Sequence, residues 1–166
     1  MVEQEANTRL REIKIIREVN IQAENFYDDA VSLGDHAAQA FQERHRSQMT
    51  NLETLAESAF KKTDIFDYIK RQTARQPLWR HSRNPAEGAF GERLRAYLET
   101  NLKAPHENIC TKLQLDKQAE EDEQVRRHIY LQLMRQFIRQ MVVEYEYQVS
   151  LIQQKRRENN RQGQHR

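Results

Sequence analysis

The chain has 166 residues, 37% of them hydrophobic and 31% charged, with four glycines, three prolines and one cysteine. So few turn formers argue against a β-rich fold, one cysteine excludes an internal disulfide, and no apolar run is long enough to span a membrane. The formal net charge of +2 hides a sorting along the chain: residues 1–60 carry 6 Lys/Arg against 11 Asp/Glu, residues 61–95 carry 9 against 4, and residues 96–166 carry 12 against 10.

The expected fold is all-α, a helical bundle in which long first and last helices pack antiparallel with short helices between them. Residues 1–157 are expected to form one bundle domain. Leu10, Ile13, Ile16, Val19, Ala23, Phe26, Ala30 and Leu33 recur at steps of three and four, which predicts one long helix over 3–33. Gly34 and Asp35 are the expected kink or short break, because Ala37 and Phe41 continue the stripe. Met49, Leu52, Leu55, Ala56 and Ala59 predict a helix over about 47–61. Thr63 and Asp64 are candidate N-caps of a short third helix carrying Ile65, Phe66 and Ile69, which Pro77 ends.

Residues 76–85 read as a loop. Asn84, Pro85 and Glu87 then resemble a capping box opening a helix that buries Phe90, Leu94, Tyr97 and Leu98. Pro105 opens a short helix with Ile109, Cys110 and Leu113. Asp116 is a candidate cap for a last helix over 117–157, with the stripe Val125, Ile129, Leu133, Phe137, Met141, Val142, Tyr145, Val149 and Ile152. Acids at 120–123 and bases at 155–157 complement its dipole, and residues 158–166 read as a frayed tail.

Motifs for chemistry are lacking. No Glu has a His three residues later, and the six histidines never fall three or four apart, so neither a di-iron site nor any other metal or cofactor is expected. Cys110, beside Ile109 and Leu113, reads as a buried small hydrophobe. The Asp28–Asp29 pair could hold a cation or face solvent. The absence of a catalytic constellation leaves no ground for expecting an enzyme.

The basic middle segment carries the functional expectation. Lys70, Arg71, Arg75, Arg80 and Arg83 flank Trp79, and Arg93 follows on the next helix. Arginine suits bidentate phosphate binding, and an exposed tryptophan suits base stacking. The alternatives are arginines that are solvated or acid-paired, and a tryptophan that pins its loop to the core. Arg127, Arg135 and Arg139 form a second basic stripe on the last helix. They could extend the same surface or pair with Glu12, Glu18 and Glu24 of the acidic first helix.

Within the segment FDYIKRQTARQPLWRHSRNPAEGAFGERLRAYLE, followed by ICTKLQL and EDEQVRRHIYLQLMRQFIRQMVVEYEY, the chain resembles the C-terminal helical region of the type I-D CRISPR large subunit. In that family a small subunit of similar size is made from an internal start in the large-subunit gene. The resemblance spans roughly residues 64–150 and rests on general pattern. It implies a non-catalytic, cytoplasmic subunit of a Cascade surveillance complex in antiviral defence. Such subunits stack head-to-tail, so a second copy and other CRISPR effector subunits are the implied protein partners. They face the guide RNA and its target DNA and help to hold the displaced strand of the R-loop, while base pairing reads the sequence. The competing expectation is a helical adaptor whose basic patch docks an acidic protein.

Overall fold

In the computed structural model, which describes residues 1–163, the chain folds into seven α-helices with no strand among the described residues. They are α1 (Val2–Asn25), α2 (Tyr27–Phe41), α3 (Arg46–Ser58), α4 (Lys62–Arg75), α5 (Phe90–Ala96), α6 (Lys103–Lys112) and α7 (Glu120–Gly163). A 3-10 turn at Pro77–Arg80 occupies the expected loop, and a π-helical turn at Tyr97–Asn101 links α5 to α6. None of these helices is long and apolar enough to cross a membrane.

The spine is the pair α2 and α7, the largest interface in the fold. Its α2 side is built from small residues: Ala30, Gly34, Ala37, Ala38 and Ala40 are all buried. Small side chains let two helix backbones approach closely, and the buried Leu33 and Phe41 fill the flanks. The stripe expected on α7 is its core-facing side. Ile129, Leu133, Phe137, Met141, Val142, Tyr145 and Val149 are buried, with Val125 and Ile152 half-buried at its ends. Leu94 and Leu98 extend the core from α5 and the π-helical turn, and Phe26 and Tyr97 meet Phe137 there, edge-on and stacked.

The first and last helices run in the same direction, not antiparallel as the sequence suggested. Contacts climb both together: Arg11 with Asp122, Glu12 with His128, the Ala23 carbonyl with Gln140, and the Gln42 carbonyl with the Tyr145 hydroxyl. The reversal occurs in α3, where Ala56 meets Arg135 and Glu57 meets Arg139. Four helices then separate α2 from α7, and they return the chain to the end where α1 began.

Other boundaries also differ from expectation. The helix break lies at Phe26, whose φ of −101° and ψ of 9° leave the helical region. Gly34 stays inside α2, where its missing side chain is used for packing. Leu10, Ile13 and Ile16 are exposed, and Ile15 takes the core position instead. Thr63 and Asp64 do not cap α4; Lys61 holds that position without a side-chain bond. Asn84 Oδ1 does accept from the Ala86 and Glu87 amides, at 3.0 and 3.1 Å, but the resulting turn ends at Gly88 (φ 79°) and α5 begins only at Phe90. Asp116 likewise accepts from Gln118 within a local turn, and α7 starts at Glu120. The expected tail is helical to Gly163; residues 164–166 lie outside the described residues.

Candidate nucleic-acid interface

The basic residues expected to form one surface have divided into three groups. Arg80 and Arg135 cap helices from outside. Arg80 Nη1 donates to the carbonyls of Thr73 and Ala74, at 3.1 and 2.9 Å, at the end of α4. Arg135 donates to the carbonyls of Ala56 and Ala59, at 2.8 and 2.7 Å, at the end of α3. The last carbonyls of a helix lack intrahelical partners, and a guanidinium satisfies them well.

Four more arginines are engaged by side chains. Arg83 grips Glu87 with two bonds of 2.7 Å and Asp35 with one of 2.6 Å. Arg93 bonds to His36 Nδ1 at 2.8 Å and reaches Ser32. Arg127 pairs with Glu123 and Arg139 with Glu57, so neither meets the first helix. The acids of α1 find other partners, Glu12 with His128 and Glu18 with Lys112. In the aspartate pair of α2, Asp29 accepts from the Tyr97 hydroxyl at 2.7 Å.

Lys70, Arg71 and Arg75 remain. All three are exposed on α4, and none makes an ion pair with the described residues. Trp79 is not beside them in solvent. It is fully buried, edge-on to Phe41 and Tyr68 and tilted against Phe90, and its indole N–H donates to Gln48 Oε1 at 3.0 Å. Base stacking by Trp79 is therefore excluded in this conformation, and the loop-pinning alternative holds.

The burial of Trp79 has a second effect. It draws the end of α4 and its 3-10 turn against Phe41 and Gln48, at the junction of α2 and α3. The same junction lies beside the last turns of α7, where Gln42 and Glu43 line a small crevice with Val149, Ile152 and Arg156. One end of the bundle thus gathers Arg71 and Arg75 from α4, Arg44 from the α2–α3 connection, Arg46 from the start of α3, and Lys155, Arg156, Arg157 and Arg161 from α7. All eight are exposed and unpaired among the described residues, and Asp67, Glu43 and Glu158 are the nearest carboxylates in sequence to the α4, Arg44/Arg46 and α7 bases respectively. We call this end the basic pole. The sequence reading missed Arg44 and Arg46, which stand in a segment of net negative charge. It assigned the α7 bases to the helix dipole. Arg156 and Arg157, which have no acid three or four residues away, were the available signal.

Beneath the pole lies a polar junction that the sequence did not reveal. His36 is fully buried on α2, edge-on to Phe90, with Nε2 donating to the His81 carbonyl at 3.0 Å and Nδ1 accepting from Arg93. These bonds fix the neutral tautomer. Burial, reinforced by the nearby Arg93 and Arg83 charges, lowers the His36 pKa to about 4. The folded value lies below the unfolded value of about 6.5, so the contribution is complete above that pH and is lost as pH falls through about 4. His36 alone is expected to remove up to about 3 kcal/mol of stability on acidification. Urea unfolding at pH 7 and at about pH 4.5 checks this: wild type should lose more stability than His36→Gln, which keeps one donor and one acceptor. Parallel losses would refute it.

Cys110 is buried and burial raises its thiol pKa, as expected of a small core hydrophobe. Among the described residues no three His, Cys, Asp or Glu side chains gather as a metal-holding group. Compared with models of protein families, with curated proteins and with solved structures, the chain matches none.

Proposed function

We propose that this chain is a non-catalytic helical subunit that holds nucleic-acid backbone at its basic pole. In the setting implied by the resemblance to the type I-D CRISPR region, it faces the guide RNA–target duplex and the displaced strand of a surveillance complex and touches neighbouring subunits. One observation carries the reading. While half of the described arginines are consumed by carboxylates, a histidine and helix ends, Arg44, Arg46, Arg71, Arg75 and the α7 bases from Lys155 to Arg161 stay exposed and collect at one end. Unpaired guanidinium groups gathered at an exposed end suit phosphates, which need charge and donors but no fixed register.

Such binding is sequence-independent and falls steeply with salt, because each neutralised phosphate releases counterions. The test is fluorescence anisotropy of labelled single-stranded DNA at low and at physiological salt. Replacing Arg44, Arg46, Arg71 and Arg75 with alanine is expected to weaken low-salt binding at least about tenfold and to flatten the salt slope. Arg135→Ala serves as the counterpart: it exposes the end of α3, lowers the melting temperature, and leaves affinity in place. Salt-indifferent binding, or a quadruple variant that binds like wild type, would sink the reading. No binding at low salt would reassign the pole to an acidic protein partner.

A further inference from the structure

We infer that the outer face of α1 is a docking site for an acidic amphipathic helix of a partner protein. This is independent of the basic pole and lies at the other end of the bundle. Helix α1 is apolar on two sides. Ile15, Val19 and Ala23 face the core. Helical spacing puts Val2, Ala6, Leu10 and Ile13 on the other side. There Val2 is 82% exposed, Leu10 51% and Ile13 62%. A helix with a second apolar side is built to be covered on both.

The charge beside this face selects the occupant. A groove between α1 and the α6–α7 connection continues from Leu10 to Leu113 and is lined by Arg11, Lys14, Arg17 and Lys112, with Glu18 as its one carboxylate. Arg11 is held by Asp122 and Lys112 by Glu18, while Lys14 and Arg17 have no ion pair among the described residues. Toward Val2 the apolar floor is flanked by Glu5 and Arg9, and from Leu10 to Arg17 its rim is cationic. This fits a helix that carries leucine-like anchors at i, i+3, i+4 and i+7, with carboxylates beside them over that cationic half. Phosphate backbone would gain nothing from Val2, Leu10 and Ile13. A second copy laid parallel would set Lys14 and Arg17 against themselves, and one laid antiparallel about Leu10 would oppose the two Arg9 side chains. The face from Val2 to Arg17 is about 22 Å long at 1.5 Å per residue, which sets a partner helix of roughly four turns.

The probe is a fluorescein-labelled 18-residue peptide with leucines at those spacings and glutamates flanking them, titrated with the full chain. Its counterpart has lysine for every glutamate. The glutamate peptide is expected to bind at least about tenfold more tightly than the lysine peptide. Leu10→Ser with Ile13→Ser should cost the same factor. Lys14→Glu with Arg17→Glu should reverse the preference, while Arg71→Ala with Arg75→Ala should change nothing. Circular dichroism melts matching wild type keep these surface variants interpretable. Equal binding of both peptides, no binding of either below about 1 mM, or displacement of the peptide by single-stranded DNA would overturn the inference. Self-association abolished by the Leu10/Ile13 variant would also overturn it, since the face would then belong to a second copy.

Discussion

Trp79→Ala is expected to lower the unfolding free energy by about 4 kcal/mol, the largest effect of any single truncation in this fold. The side chain is fully buried where α2, α4 and α5 meet. Its loss removes three aromatic contacts and leaves a cavity that the surrounding rigid helices cannot close. Gln48 is half-buried, so water can replace the lost indole donor, and most of the cost is packing. For a chain of this size the melting temperature should fall by roughly 10 °C. Urea unfolding checks the magnitude, and a loss under about 1 kcal/mol would contradict the packing described. Because Trp79 is the only tryptophan, its emission offers a second check. Single-stranded DNA bound at the basic pole should leave that emission unquenched, whereas stacking on a base would quench it.

Gly34→Ala should destabilise by at least about 2 kcal/mol, although alanine is the better helix former by about 1 kcal/mol. Propensity and packing predict opposite signs here, and distance decides. A Cβ at Gly34 would lie 2.6 Å from the Met141 carbonyl oxygen and 2.6 Å from the Glu144 Cβ. A backbone oxygen cannot rotate away, so α7 must move as a unit along the largest interface of the bundle. Denaturant melts of Gly34→Ala and Gly34→Leu should show progressive loss, with the leucine variant failing to dock α2. A stabilised Gly34→Ala protein would show that the spine yields more easily than its spacing implies.

The sequence was legible where periodicity alone carries the information. The α7 stripe is apolar along a length that the bundle covers, so its buried face could be read directly. The same method misplaced Leu10, Ile13 and Ile16, because an apolar repeat reveals a face without revealing what covers it. It placed the break at Gly34 because glycine weakens helices, yet there the missing side chain is what the neighbouring helix requires. Asn84 and Asp116 showed the right chemistry in the wrong setting: both accept local backbone bonds, but in turns that precede the helices. Direction was beyond reach, since a stripe packs equally well parallel or antiparallel. The fate of the arginines depended on distant partners. Arg135 is consumed by carbonyls 76 and 79 residues away, and no local pattern foretells that. Trp79 could be read either way until Phe41, Tyr68 and Phe90 were seen around it.

The same-direction course of the first and last helices bears on how the protein is made. In an up-and-down bundle each new helix packs on the one just completed, so structure accumulates during synthesis. Here the alanine and glycine face of α2 must wait for a partner that begins at Glu120, after four other helices have been threaded back along the bundle. Closing so long a loop carries an entropic cost that local contacts do not. Until α7 has emerged from the ribosome, Ala30, Gly34 and Ala37 lack their covering helix. The last quarter of the chain therefore acts as the keystone of biosynthesis: a ribosome that stalls before it releases six helices with no spine to fold against.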